Sequence, residues 1–150
     1  IEDKAHGDSR IRPAAERIPM RFILYPATET YLRKYGLMSE LESGQVEVVP
    51  MLPHYYDFIA TAKAARFIMA DGCGVQEECG YLNKPYLILR NETERDDGLG
   101  RNAVLWKGDD AIAERFLDTY EQLGAGGEGD WPEPSAQIVD ALVELGYAVS

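Results

Sequence analysis

The stretch that most constrains this chain is Asp71-Gly72-Cys73-Gly74-Val75-Gln76-Glu77-Glu78. An apolar run over 65–70, interrupted only by Arg66, leads into it, and a segment of helical character follows to about Tyr81. A strand, a small-residue turn and a helix make an arrangement suited to phosphate. Glycines let backbone N–H groups approach an anion closely, and a helix start adds unpaired donors and the positive end of its dipole. Glu78 lies one turn past Gly74. A carboxylate there cannot bind phosphate, but it can accept two hydroxyl hydrogen bonds, as from a ribose. The joint therefore fits a nucleotide diphosphate site. From spacing alone a plain tight turn closing a parallel sheet is the commoner reading, because such glycine-bearing joints are common in α/β proteins.

A chain of 150 residues with 45% apolar side chains suits one soluble domain with a real core. No apolar run approaches the ~20 residues of a membrane span, and residues 1–10 are too polar for a signal peptide. Without an initiator Met, the chain reads as a processed product or part of a longer one. The formal charge of −11, with Lys and Arg scattered, argues against nucleic acid as a partner. Backbone amides and one or two placed arginines still suffice for a nucleotide. Cys73 and Cys79 are too few and too close for a disulfide framework, and read as reduced thiols of a cytoplasmic protein. Cys73 at a helix start is a candidate nucleophile, although a small residue filling the turn is the simpler reading. His54 has no nearby Cys or second His, so no metal site is expected.

Residues 1–18 read as a helix end or a loose tail. Met20–Leu24 is a short buried-strand candidate closed by Pro26. A helix over 28–35 follows, with Thr28 as its cap, Tyr31, Leu32 and Tyr35 on one side, and Gly36 ending it. One more helical turn is expected at 37–41 and a strand at 46–49 before Pro50. The aromatic-rich loop 52–58 leads into a helix over 56–64, and its rings suit either base stacking or a lid on the core. Strands at 66–70, 85–89 and 103–106 flank a helix over 75–81 and a polar loop over 90–102. At 13 residues that loop is long for a compact domain, and such loops are often functional. An amphipathic helix over 109–123 carries Ile112, Phe116, Leu117 and Tyr120 on one face. A glycine-rich break over 124–129 and a turn at 131–134 precede a last helix over 135–145, with Ile138, Leu142 and Leu145 together. This alternation predicts an α/β fold with a parallel sheet covered on both faces. Ligands then bind at the carboxyl ends of the strands, where the loops at 26–30, 50–58, 71–75 and 90–102 converge.

Three segments carry a further signal: Asp71-Gly-Cys-Gly-Val-Gln-Glu-Glu78, Asn83-Lys-Pro85 and Leu89-Arg-Asn-Glu-Thr-Glu-Arg95. Together they resemble the non-hydrolysing UDP-N-acetylglucosamine 2-epimerases. That family carries an Asp-Ser-Gly-Gly-x-Gln-Glu-Glu turn, a Gly-Lys-Pro before the next strand and an Arg-x-x-Thr-Glu-Arg loop. The match runs from about Arg21 to Asp118. It implies a Rossmann-like doubly wound, mainly parallel sheet, the C-terminal UDP-binding half of a GT-B fold. By the same resemblance, Gly72, Cys73 and Gly74 fall where the family holds the diphosphate, and Glu78 where it binds the ribose hydroxyls. Phe58 falls at the aromatic beside the uracil, and Arg95 at an arginine of the diphosphate and sugar region. Glu94 sits beside Arg95 on the loop that faces the domain cleft.

The chain departs from the pattern in places. Gly72 replaces a common serine, Cys73 and Asn83 replace glycines, and Asp96-Asp97 stands where many members have Pro-Glu. Asn83 suits a helix C-cap. A branch of the family has Asp-Gly-Gly-Ser with a following Cys, and Cys79 with residues 98–102 looks closer to that branch. The family's catalytic acidic residues lie in an N-terminal domain, and its His-Arg-x-Glu-Asn motif precedes the position of Ile1. The resemblance thus implies that an N-terminal domain and the central first strand of this domain lie outside the chain. It implies that residues 1–150 form a single nucleotide-sugar-binding domain with no catalytic residue and no cofactor. The parent would be an isomerase of cell-wall and polysaccharide precursor synthesis, binding UDP or a UDP-N-acetylhexosamine away from membranes, as a homodimer. It would epimerise C2 by eliminating UDP and adding it back. A glycosyltransferase-like half and a binding module without chemistry are the alternatives.

Overall fold

The computed structural model describes residues 11–41, 45–124 and 133–147. Its elements are α1 (Ile11–Arg17), β1 (Met20–Leu24), α2 (Pro26–Lys34), α3 (Met38–Leu41), β2 (Val46–Pro50), α4 (Tyr55–Ala64), β3 (Ile68–Ala70), α5 (Cys73–Tyr81), β4 (Tyr86–Ile88), β5 (Ala103–Leu105), α6 (Asp110–Thr119) with a 3-10 turn at Tyr120–Gln122, and α7 (Pro134–Glu144). All strand pairs are parallel. They form two sheets, β1–β2 and β3–β4–β5, where the sequence had suggested one. The free edges of β1 and β3 face a common cavity.

The β3–β5 sheet is covered on both faces, and its side-chain alternation says which helix covers which. Phe67, Met69, Leu87 and Val104 point to one side, where they pack with Ala14 of α1 and with Ala113, Phe116 and Leu117 of α6. Ile68, Ala70, Tyr86, Ile88, Ala103 and Leu105 point to the other, against Val75 and Cys79 of α5. Tyr86, Leu87 and Ile88 are therefore all buried, as a central parallel strand requires. The β1–β2 sheet has its own small core, with Leu32 of α2 and Leu41 of α3 over Phe22, Leu24, Val46 and Val48.

Several helix ends differ from the sequence reading. α2 begins at Pro26, and Tyr25 caps it without a side-chain bond, so Thr28 is not the cap. Proline at the first position loses an N–H that would have no partner there anyway. α4 and α5 each begin one or two residues early, at Tyr55 and Cys73. Asn83 stands just past α5 with φ 47°, and Lys84 N–H bonds back to the Cys79 carbonyl, the C-cap geometry expected of it. Asp109 caps α6 by accepting from the Ala111 N–H at 2.9 Å. In α7 the apolar face forms as read, yet Ile138, Leu142 and Leu145 are all exposed. The readings for residues 1–10 and for Trp131 lie outside the described residues.

Candidate functional site

The loops at the carboxyl ends of the strands converge on one cavity of about 1570 Å³. Tyr25 and Thr28 reach it from the β1 end, and His54, Tyr55 and Phe58 from the β2 end. Asp71, Gly72, Gly74 and Glu78 reach it from β3, and Arg90 from β4.

The turn between β3 and α5 is held from below. The Tyr86 side chain is fully buried, and its hydroxyl lies 2.9 Å from the Ala70 carbonyl and 3.1 Å from that of Gly72, which share its one proton. Burial pushes the Tyr86 phenol far above its ordinary value, so it serves only as a neutral donor. Gly72 then caps α5 with extended backbone and no side-chain bond. The Gln76 N–H returns to the Gly72 carbonyl, which leaves the amides of 73–75 without partners inside the helix. A Cβ on Gly74 would meet nothing within 4 Å, and its φ is not positive. The protein itself therefore does not require glycine there. A Cβ on Gly72 would sit 3.3 Å from Val75 Cγ2, so the serine common in this turn would need Val75 to yield slightly.

The remaining site residues are placed as follows. Phe58 is half-buried in the first turn of α4 and Glu78 is half-buried on α5, both on the cavity wall. The Tyr55 hydroxyl bonds to Glu78, and desolvation followed by that bond pushes the phenol up. Cys73, unlike its neighbours Gly72 and Gly74, does not line the cavity. Its Sγ accepts from Arg90 Nη1 at 2.7 Å and donates to Glu94 Oε1 at 3.0 Å. The thiol bond, reinforced by Arg90, holds the Glu94 carboxyl below its usual range. Arg95 pairs with Glu77 on α5 and does not line the cavity, and its Nε is buried without a partner. Arg90, which the sequence reading left unassigned, is the cation beside the glycine turn. Its sequence signal was its place as the first arginine of the Arg-x-x-Thr-Glu-Arg loop, just past a strand.

Gln76 was read as no more than part of a motif. It is 1% exposed and clamps the 90–102 loop onto α5. Its Nε2 donates to the carbonyls of Arg95 and Asp97, each at 3.0 Å, and its Oε1 accepts from Thr93 Oγ1 at 2.8 Å. Asn102 fixes the far end of that loop, with Nδ2 donating to the Cys79 and Lys84 carbonyls at 2.9 and 2.7 Å. Gly98 has φ 72°, and a Cβ there would fall 2.6 Å from Asn102 Oδ1. Among the described residues, no group of three or more His, Cys, Asp and Glu is placed to hold a metal ion.

Both cysteines are free thiols. Burial pushes Cys79 from its ordinary value near 9 up to about 12. The folded state thus favours the protonated thiol. Its stabilising effect is complete below about pH 9 and is lost as the pH rises toward about 12, because the unfolded chain gives up the proton first. Mass-spectrometric alkylation of the native chain at pH 8 should label the partly exposed Cys73 first. Cys79 should react at the rate of global unfolding. Equal labelling rates for the two thiols would contradict this burial.

Alternating parallel strands and helices, with a glycine turn opening at the carboxyl edge, define the class: a Rossmann-like doubly wound α/β domain, one half of a GT-B fold. The family model for UDP-N-acetylglucosamine 2-epimerase matches residues 9–125. The chain belongs to that family. The UDP-N-acetylglucosamine 2-epimerase of Methanococcus maripaludis is 32% identical over 102 residues, which cover 68% of this chain and 27% of that protein. The Bacillus subtilis enzyme of that name is 33% identical over 117 residues, covering 71% and 30%. A solved UDP-GlcNAc 2-epimerase from Methanocaldococcus jannaschii has the same fold, with TM-score 0.76 at 22% identity over 95% of this chain and 41% of its own. The structure of that enzyme in complex with UDP-GlcNAc and UDP superposes with TM-score 0.73 at 24% identity. The chain thus spans 27% to 30% of the length of these two curated relatives. No helix among the described residues is long and apolar enough to cross a membrane.

Proposed function

We propose that residues 1–150 are a C-terminal nucleotide-sugar-binding domain, the UDP-holding half of a cytoplasmic UDP-N-acetylglucosamine 2-epimerase. The observation that carries this reading is one cavity wall bearing the open amides at the start of α5, the Phe58 ring and the Glu78 carboxylate. An aromatic face, an anion-binding helix start and a carboxylate acceptor are the parts a uracil, a diphosphate and a ribose need. In the reaction the UDP is eliminated from C1 of the sugar and added back with inverted configuration at C2. This half holds the departing diphosphate. The amides of 73–75 and the Arg90 guanidinium stabilise its charge, and Arg95 joins them if it leaves Glu77. Proton transfer at C2 falls to acidic residues of an N-terminal domain across the cleft, so the chain alone binds without turnover.

Gly74→Ala tests the proposal, because its two effects have opposite signs. Alanine in the first turn of α5 meets no protein atom and should hold or raise stability by up to ~1 kcal/mol. The added methyl stands where the diphosphate must approach, so UDP affinity measured by calorimetry should fall. Unchanged UDP affinity in a stable Gly74→Ala chain would refute anion binding at this turn.

A further inference from the structure

Of the three motif segments, Asn83-Lys84-Pro85 is the one that puts no residue on the cavity wall. It lies at the amino end of β4, away from the loops that carry the site. Its backbone is fixed to the β3–β5 sheet. The Lys84 N–H bonds to the Cys79 carbonyl at 2.9 Å, and the Lys84 carbonyl accepts from Asn102 Nδ2 at 2.7 Å. Asn83, with φ 47°, turns the chain. Pro85, with its φ fixed by the ring, leads into β4, and its carbonyl accepts from the Ile68 N–H of β3 at 2.9 Å. The lysine side chain between them reaches out of the sheet. Lys84 Nζ donates to the carbonyls of Lys63 and Ala65, at 3.0 and 2.5 Å, where α4 ends.

That end of α4 has no cap of its own. The carbonyls of a last helical turn lack partners inside the helix. A left-handed residue, usually glycine, often closes such an end. Here Ala65 is extended, with φ −67° and ψ 148°, and Arg66 has no positive φ either. A lysine ammonium meets both needs of such an end: it donates to the open carbonyls and offsets the negative pole of the helix dipole. Packing holds α4 weakly. Ala62 is its buried residue, and among the described residues no α4 side chain belongs to the apolar clusters of either sheet. Yet α4 carries Tyr55 and Phe58 at its front, on the cavity wall. The Tyr55 hydroxyl bonds to Glu78 there. A ribose would take that partner, which leaves the tie at the back to hold the helix. Phe58 precedes Ala65 by about 10 Å along the axis, at ~1.5 Å per residue. A tilt of ~10° about the tied end would carry the ring roughly 2 Å. We propose that Lys84 is a positioning residue: by capping α4 from the β3–β5 sheet it sets the tilt of that helix, and with it the place of Phe58 against a nucleotide base. This rests on the nucleotide reading of the cavity and adds to it a residue that never touches the ligand.

Two variants of the full chain test this. Lys84→Met keeps the apolar stem without the charge, and Lys84→Arg keeps the cation and its donors. Amide exchange in Lys84→Met should speed by roughly tenfold or more at Lys63, Ala64 and Ala65, with Tyr86, Leu87 and Ile88 unchanged. By calorimetry its UDP affinity should fall about fivefold or more, the loss of a stacked aromatic contact. Its affinity for inorganic pyrophosphate, which would meet α5 and Arg90 and not α4, should not change. Lys84→Arg should restore both slow exchange and UDP affinity. A merely structural lysine would not separate UDP from pyrophosphate. Parallel losses for the two ligands would put the effect at the glycine turn and overturn the proposal. Unchanged UDP affinity beside a loosened α4 would overturn it, because Phe58 would then keep its place without the tie. Unchanged exchange at the end of α4, an arginine variant no better than methionine, or a Lys84→Met chain that does not fold would overturn it as well, the last by making Lys84 a support of the whole fold. If the unmodified chain binds UDP no more tightly than pyrophosphate, the base contact assigned to Phe58 falls, and this inference with it.

Discussion

Gln76→Leu is expected to cost roughly 3–5 kcal/mol of folding stability, since each buried polar group left unsatisfied costs about 1–3 kcal/mol. Leucine keeps the volume and would suit an apolar position. Yet Gln76 is 1% exposed, and its amide is the bond partner of the Arg95 and Asp97 carbonyls and of the Thr93 hydroxyl. The substitution strands all three beneath the 90–102 loop. Gln76→Glu should also destabilise, because it sets carboxylate oxygens against two carbonyls while keeping an acceptor for Thr93. Urea unfolding followed by circular dichroism measures both. A loss under ~1 kcal/mol for the leucine variant would show that the loop is not held through this residue. The loop carries Arg90 and Glu94 beside the glycine turn, so a loosened loop should weaken UDP binding as well.

Glu78→Gln should lower UDP affinity about tenfold or more while leaving the melting temperature of the free chain level or higher. The carboxylate is half-buried on the cavity wall, and its bond within the protein comes from the exposed Tyr55 hydroxyl. A ribose would offer two hydroxyl donors. Charge-assisted bonds of that kind contribute ~1.5–3 kcal/mol, and ~1.4 kcal/mol is a decade in affinity. Glutamine keeps the shape, removes the charge and turns one acceptor into a donor. The competing outcome is equally definite. If the bond to Tyr55 is what matters, Glu78→Gln and Tyr55→Phe should each lower the melting temperature and leave UDP affinity alone. Calorimetry and thermal melts on the same two variants separate these cases, and lost stability with intact binding would refute the ribose assignment.

Much of this protein is decided by local chemistry that the sequence shows directly. The apolar run ahead of Asp71, the glycines after it and the helix formers beyond determine a strand, a turn and a helix start. They do so because each depends on neighbours a few positions away. The same holds for β1, β2, α6 and the Asn83 cap. Placing the Phe58, Gly74 and Glu78 loops at one edge followed from strand–helix alternation, since parallel strands send the loops at their carboxyl ends to the same side. Tertiary structure alone decided the rest. The burial of Gln76 requires residues 93–97 to fold back over α5, a contact 17 to 21 residues away in the chain. The Glu77 partner of Arg95 and the Arg90 contact to Cys73 likewise arise across separate elements. The division into two sheets is a property of edges. A strand's own sequence states that it is apolar and extended, but which of its two sides finds a neighbour is settled by what the whole chain brings beside it.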